Sequence, residues 1–163
     1  MTIKHLGHVD MQHCPTLNDE DWLWWSSIHK AKAFKSHEDV LNIVLLWFDE
    51  KKEGYDKYYS EQFFKPIFDK LGKGNAYNIT FNMLEAGMEI VPHTDLDPRI
   101  RASRRIHIPI ITHPDIMFIN GDDKIHMERG YAYEIDNTKA HGIHNNSDID
   151  RVHLVIDWED INT

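Results

Sequence analysis

Beyond residue 75 the chain breaks into short apolar segments separated by turn signals, and this constrains its fold more than any other feature. The segments are Ala76–Leu84, Ile90–Pro92, Arg105–Ile111, Ile116–Ile119, Lys124–Met127, Tyr131–Ile135, Gly142–Asn145 and Arg151–Trp158. Glu85-Ala86-Gly87, Asn120-Gly121-Asp122-Asp123 and Gly130 punctuate them. Asn-Gly between two apolar runs is a hairpin signal, and Gly supplies the positive φ that such turns need. About eight short strands bury their apolar faces by closing on each other, which predicts a double-sheet jelly roll or barrel. Upstream, Asn18-Asp19-Glu20-Asp21 reads as a helix start, with Asn18 as cap and acids favoured by the dipole. That helix is expected to run to about Ala33 and carry a Trp22, Trp25, Ile28, His29 stripe. A second helix is predicted over Tyr58–Leu71, with Phe63, Phe64, Ile67, Phe68 and Leu71 on one face, a break or kink at Pro66, and a stop at Gly72 and Gly74. Asp49–Tyr55 reads as a charged connection. The apolar run Val40–Phe48 fits a buried strand or a helix equally well. The expected layout is a single domain over 1–163, with 1–75 a mostly helical flank and 76–158 the β core.

The formal net charge is −9, from 18 Lys and Arg against 27 Asp and Glu. That balance argues against a nucleic-acid-binding face and against adhesion to an anionic membrane. One cysteine, Cys14, excludes an internal disulfide and fits a reducing compartment. With no signal-peptide pattern and no apolar run of spanning length, the expected location is cytoplasmic.

Histidine is over-represented at 12 residues. His5, His8, His13, His29 and His37 sit in polar surroundings and read as surface groups. Those after position 90 lie on strand-like segments. In Pro92-His93-Thr94-Asp95, residues i and i+2 of an extended chain point the same way, so an imidazole and a carboxylate converge. A second imidazole from a neighbouring strand, with His141 the candidate, would complete a 2-His-1-carboxylate triad, the usual ligand set of non-heme Fe(II) oxygenases. His-x-Asp alone is a weak signal in a chain with this many histidines. Two further segments strengthen it. Arg105-Ile106-His107-Ile108 and Arg151-Val152-His153-Leu154 each alternate a cation or imidazole with a branched aliphatic residue, putting Arg105 with His107, and Arg151 with His153, on one face. Such a face suits a cavity for carboxylates, because a guanidinium meets a carboxylate with two parallel hydrogen bonds.

Val91-Pro92-His93-Thr94-Asp95, Arg105-Ile106-His107-Ile108-Pro109, the stretch from Glu134 to His141 and the stretch from Arg151 to Trp158 together resemble the aspartyl/asparaginyl β-hydroxylase family. The family comprises Fe(II)- and 2-oxoglutarate-dependent dioxygenases on a double-stranded β-helix, and includes bacterial cis-type proline hydroxylases. The resemblance covers roughly residues 76–158 and implies a mainly β, jelly-roll or cupin-like fold with N-terminal helices packed on one sheet. It implies His93, Asp95 and His141 as metal ligands and Arg151 as the anchor of the far carboxylate of 2-oxoglutarate. Arg105 and His107 match a second basic pair beside the metal, and His153 either touches the cosubstrate or packs behind it. His144 stands as a rival to His141, which is preferred because it keeps the family's ten-residue step to Arg151. The cofactors implied are Fe(II), 2-oxoglutarate and O2. The implied activity is hydroxylation of an amino acid or peptide side chain with release of succinate and CO2, a free amino acid being weakly favoured. The alternative is a metal- and 2-oxoglutarate-binding jelly roll without turnover, a sensor or binding module.

Overall fold

The computed structural model describes residues 1–24 and 40–162. Twelve strands among the described residues form two antiparallel sheets. The larger holds β1 (Lys4–His8), β2 (Leu23–Trp24), β3 (Val40–Trp47), β4 (Glu50–Lys51), β5 (Gly74–Leu84), β7 (Arg104–Ile111), β10 (Tyr131–Ile135) and β12 (Arg151–Asp160). Its order is β1-β10-β7-β12-β5-β3-β2, with β4 hairpinned onto β3. The smaller sheet runs β6-β11-β8-β9, from β6 (Glu89–His93), β8 (Ile116–Asn120), β9 (Asp123–Ile125) and β11 (His141–Asn145). This is a mainly β jelly roll, as the spacing of the turns predicts.

Alternation sorts the two faces of the larger sheet. Ile79 and Phe81 of β5, Ile106 and Ile108 of β7, and Leu154 and Ile156 of β12 all point outward into one apolar cluster. Helices α1 (Glu53–Tyr58) and α2 (Glu61–Leu71) cover that cluster with Tyr58, Phe63, Phe64 and Ile67, all buried. Burying each such side chain is worth roughly 1.5–3 kcal/mol, which is what seats the helices. Ser60 caps α2 by accepting from the Phe63 N–H, and Gly72 ends it at φ 97°. Pro66 lies inside α2 without interrupting it, and Gly74 already belongs to β5. The opposite face of the sheet looks toward the smaller sheet across a second cluster that includes Leu84, Ile90, Phe118 and Ile143.

The N-terminal part departs from expectation. Among the described residues of 1–75 the flank is not mostly helical, since β1 to β4 extend the larger sheet on both sides. The apolar run at 40 is strand β3, paired with β5 from Val40↔Leu84 to Leu46↔Ile79. Asp19–Asp21 makes only one 3-10 turn, and Leu23–Trp24 then pairs with β3 instead of continuing a helix. The rest of that expected helix, with Trp25, Ile28 and His29, lies outside the described residues. The segment 49–55 holds a short strand and the start of α1 rather than a plain connection. No helix among the described residues is long and apolar enough to cross a membrane.

Candidate metal centre

His93 closes β6 and is the register partner of His141 at the start of β11. Their ring centroids are 4.8 Å apart. Asp95 lies just past the end of β6, where the chain turns into α3 (Pro98–Ala102), a short helix capped by the Asp97 carboxylate. One ligating atom each from His93, Asp95 and His141 fall within 4.8 Å of one another, and among the described residues they are the group able to hold a metal ion.

Backbone chemistry aims these side chains. His141 Nδ1 lies 3.1 Å from the Lys139 carbonyl and His93 Nδ1 lies 2.9 Å from the Val91 carbonyl. A carbonyl only accepts, so each ring donates from Nδ1, and in its neutral form each keeps its lone pair on Nε2. The loop before His141 is fixed by Asn120, which accepts from the Asp136 N–H at 2.8 Å and donates to its carbonyl at 3.0 Å. Gly142 permits the close approach of β6. A Cβ there would lie 2.5 Å from the Ile90 carbonyl oxygen and 2.8 Å from Pro92 N, inside the bulge where the β11–β6 register shifts. His144 has the opposite strand parity, and its Nε2 lies 3.5 Å from Glu89 instead.

Asp95 Oδ2 is 3.4 Å from His141 Nε2 and accepts from Arg105 Nη1 at 2.7 Å. Burial disfavours the Asp95 carboxylate, but the Arg105 charge and the contact with His141 outweigh it and hold the group well below the usual carboxylate range. The other edge of Arg105 forms a two-pronged pair with Asp157, Nε to Oδ1 at 2.7 Å and Nη2 to Oδ2 at 2.9 Å. Burial works against the Arg105 charge, and Asp157 with Asp95 more than restores it.

These groups line a cavity of about 410 Å³ between the sheets. Arg151 lines it too, only 1% exposed, and its Nε and Nη2 have no hydrogen-bond partner. Burial alone pushes its guanidinium down to about 9, so it stays charged at neutral pH. His107 lies in the cavity wall with Nε2 unpartnered, and its Nδ1 is 3.2 Å from that of His153. His153 sits behind His107 and does not line the cavity. Sequence reasoning missed Asp157 and the amides of Asn42, Asn78 and Asn82. Asn42 is fully buried at the cavity with both amide atoms unpartnered. The signal for Asn78 and Asn82 was there: Asn78-Ile79-Thr80-Phe81-Asn82 alternates polar and apolar residues as clearly as the Arg-x-His strands do.

Burial pushes both His107 and His153 well below the ordinary imidazole range, with the Arg151 charge adding to it. Below about pH 6.5 the unfolded chain protonates these rings while the folded one does not. Stability is therefore expected to fall as pH drops below ~6.5, by up to ~1.4 kcal/mol per pH unit for each ring, until the depressed folded values are reached. Urea unfolding between pH 7.5 and 5 measures this, and replacing His153 with Gln should flatten the slope.

Residues 62–160 of the 163 match the family model of aspartyl/asparaginyl beta-hydroxylases. The chain belongs to that family. Aspartyl/asparaginyl beta-hydroxylases are Fe(II)- and 2-oxoglutarate-dependent oxygenases, so Fe(II), 2-oxoglutarate and O2 are the cofactors that membership brings. No curated protein matches the sequence. Among solved structures, a 2OG-Fe(II) oxygenase family oxidoreductase from Burkholderia pseudomallei superposes with TM-score 0.55 at 10% identity, over 74% of this chain and 68% of that one. The viral collagen prolyl hydroxylase of Paramecium Bursaria Chlorella virus-1 does so with TM-score 0.52 at 11% identity, over 76% and 81%. At these identities the likeness is one of fold.

The residues present fit the family's cofactors. Two imidazole lone pairs and a carboxylate suit a divalent ion. A buried guanidinium with two unpartnered N–H-bearing nitrogens suits a carboxylate, since an isolated buried charge is costly until it is paired.

Proposed function

We propose that this chain hydroxylates an amino acid or a peptide side chain with Fe(II), 2-oxoglutarate and O2, releasing succinate and CO2. The observation that carries the reading is the unpartnered, fully enclosed Arg151 guanidinium in the same cavity as His93, Asp95 and His141. A binding module could use either feature; the pair in one cavity is what 2-oxoglutarate chemistry needs.

His93, Asp95 and His141 would hold the metal through two Nε2 atoms and one carboxylate oxygen, leaving one side of the ion to small ligands. Arg151 would receive the far carboxylate of 2-oxoglutarate in a two-pronged pair. His107, neutral because it is buried beside Arg151, can hydrogen-bond through Nε2 without adding charge. Bound together, iron(II) and 2-oxoglutarate supply the activation of O2 that hydroxylating a C–H bond requires. Charge supports this occupancy. Asp95, Asp157, Arg105 and Arg151 sum to zero, and a divalent cation with a dicarboxylate leaves that sum unchanged. Ile90, Ile143, Val155 and Phe118 keep the cavity apolar around the polar groups. A volume of about 410 Å³ is near the lower end for ligand cavities, so beside 2-oxoglutarate it suits one amino acid or one side chain.

The test is anaerobic addition of Fe(II) and 2-oxoglutarate, followed by O2 and a panel of free amino acids and short peptides. A metal-to-ligand charge-transfer band, then succinate formed in step with one substrate, is the expected result. A band without succinate under any substrate would point to a binding module instead.

A further inference from the structure

Asp157 is 1% exposed and faces the cavity from β12, directly across from its register partner Arg105. Its Oδ2 also accepts from Asn78 Nδ2 at 2.8 Å. The carbonyl end of Asn78 accepts the backbone N–H of Phe48 at 2.7 Å. Phe48 and Asp49 are the two central residues of the β3–β4 hairpin, whose flanking partners are Trp47 and Glu50. Their φ angles are 47° and 69°. Two successive positive φ values belong to a type I′ turn, where Asn-Gly is the favoured pair. A phenylalanine there is strained and persists only where its surroundings hold it. Phe48 and Trp47 line the cavity wall. One line of hydrogen bonds thus runs from the strained turn through Asn78, Asp157 and Arg105 to Asp95.

A lone buried ion pair serving the fold would need one carboxylate for its guanidinium. Here Arg105 meets two, and the geometry divides them. The two-pronged pair with Asp157 fixes the plane of the guanidinium, and the remaining Nη1 reaches Asp95.

We propose that Asp157 is a positioning residue: it locks Arg105 so that Arg105 holds Asp95 in place at the metal centre, and through Asn78 it ties that centre to the Phe48–Asp49 turn in the cavity wall. This rests on the metal-binding role proposed above for His93, Asp95 and His141. Partners that orient a ligand typically change metal affinity by about 10–100-fold when removed.

Calorimetric titration of the full chain with Mn(II), a redox-inert probe, tests the idea. Asp157→Asn should lower Mn(II) affinity by about 10–100-fold. In an Arg105→Gln background the same change should cost less than about threefold, because Asp157 acts through Arg105. A purely electrostatic or purely structural role would cost as much in both backgrounds and would overturn the proposal. Asn78→Ala changes no charge and guards against misfolding of the Asp157 variant. It should weaken Mn(II) about three- to tenfold and speed hydrogen exchange at the Phe48 amide, and wild-type values for both would also overturn it. His141→Ala separates the two levels. If Mn(II) binding survives that change, the metal reading fails and this inference falls with it. If binding is lost there but unchanged in Asp157→Asn, the role of Asp157 alone is rejected.

Discussion

Replacing Arg151 with Met is expected to weaken 2-oxoglutarate by roughly two to three powers of ten while making the unliganded protein more resistant to unfolding. The two effects have one origin. Arg151 is a fully buried cation whose only influence from the surroundings is desolvation, with Nε and Nη2 unpartnered. Removing half of a buried charge pair typically costs about 3–5 kcal/mol, and ~1.4 kcal/mol is one decade of affinity. In the unliganded protein the same guanidinium is a burden, and an apolar side chain of similar volume relieves it. Arg151→Lys should recover only part of the affinity, since an ammonium cannot give the two-pronged geometry. Mn(II) affinity should stay within about twofold, because Arg151 is not among the groups that converge on the metal position. Anaerobic titration with 2-oxoglutarate, together with thermal unfolding of the same variant, reads both signs. Near-wild-type 2-oxoglutarate binding would mean the anchor lies elsewhere in the cavity, with Asn42 the next place to look.

How much of this was legible depended on whether a pattern is local. The opposed faces of Arg105-Ile106-His107-Ile108 follow from period 2 alone, and the sheet keeps them, with Ile106 and Ile108 under the helices and His107 in the cavity wall. The same rule, carried further along β12, puts Asp157 on the face of Arg151 and His153. What it could not give is that Asp157 meets Arg105, because that contact depends on the register of two strands 52 residues apart. The Asp49–Arg99 and Arg99–Glu159 pairs are equally non-local. The N-terminal error has a similar cause. Asn18 to Asp21 has good helix-start chemistry, yet Asp21 is taken by Lys57 and the Tyr58 hydroxyl, and Leu23 finds a backbone partner in Asn42. Tertiary partners won over a local preference worth only tenths of a kcal/mol per residue. Pro66 shows the converse, since a helix held by Phe63, Phe64 and Ile67 against the sheet tolerates one missing hydrogen bond.

The sharpest separation is expected between two histidines three residues apart on β11. His141→Ala should abolish measurable Fe(II) or Mn(II) binding, a loss larger than the ~10–100-fold that outer partners cost. His144→Ala should leave affinity within about twofold. Alternation along the strand is the reason. His141 points at Asp95 with Nε2 3.4 Å from Oδ2, while His144 leaves the other side toward Glu89. The fold should survive both changes, because neither side chain belongs to the apolar clusters that hold the sheets and helices together. pH gives an independent check on the same centre. A metal competes with protons for its ligands, so affinity falls as pH drops through the ligand values. Burial lowers the His93 imidazole and the Arg105 charge lowers the Asp95 carboxylate, so these two ligands should yield to protons only at lower pH than free imidazole and carboxylate groups do. Arg105→Gln removes the cation facing Asp95, which should move the acid edge of binding upward. If His144→Ala were the variant that lost the metal, the distal ligand would have to come from the far side of β11, and β6 and β11 would have to pair in a shifted register.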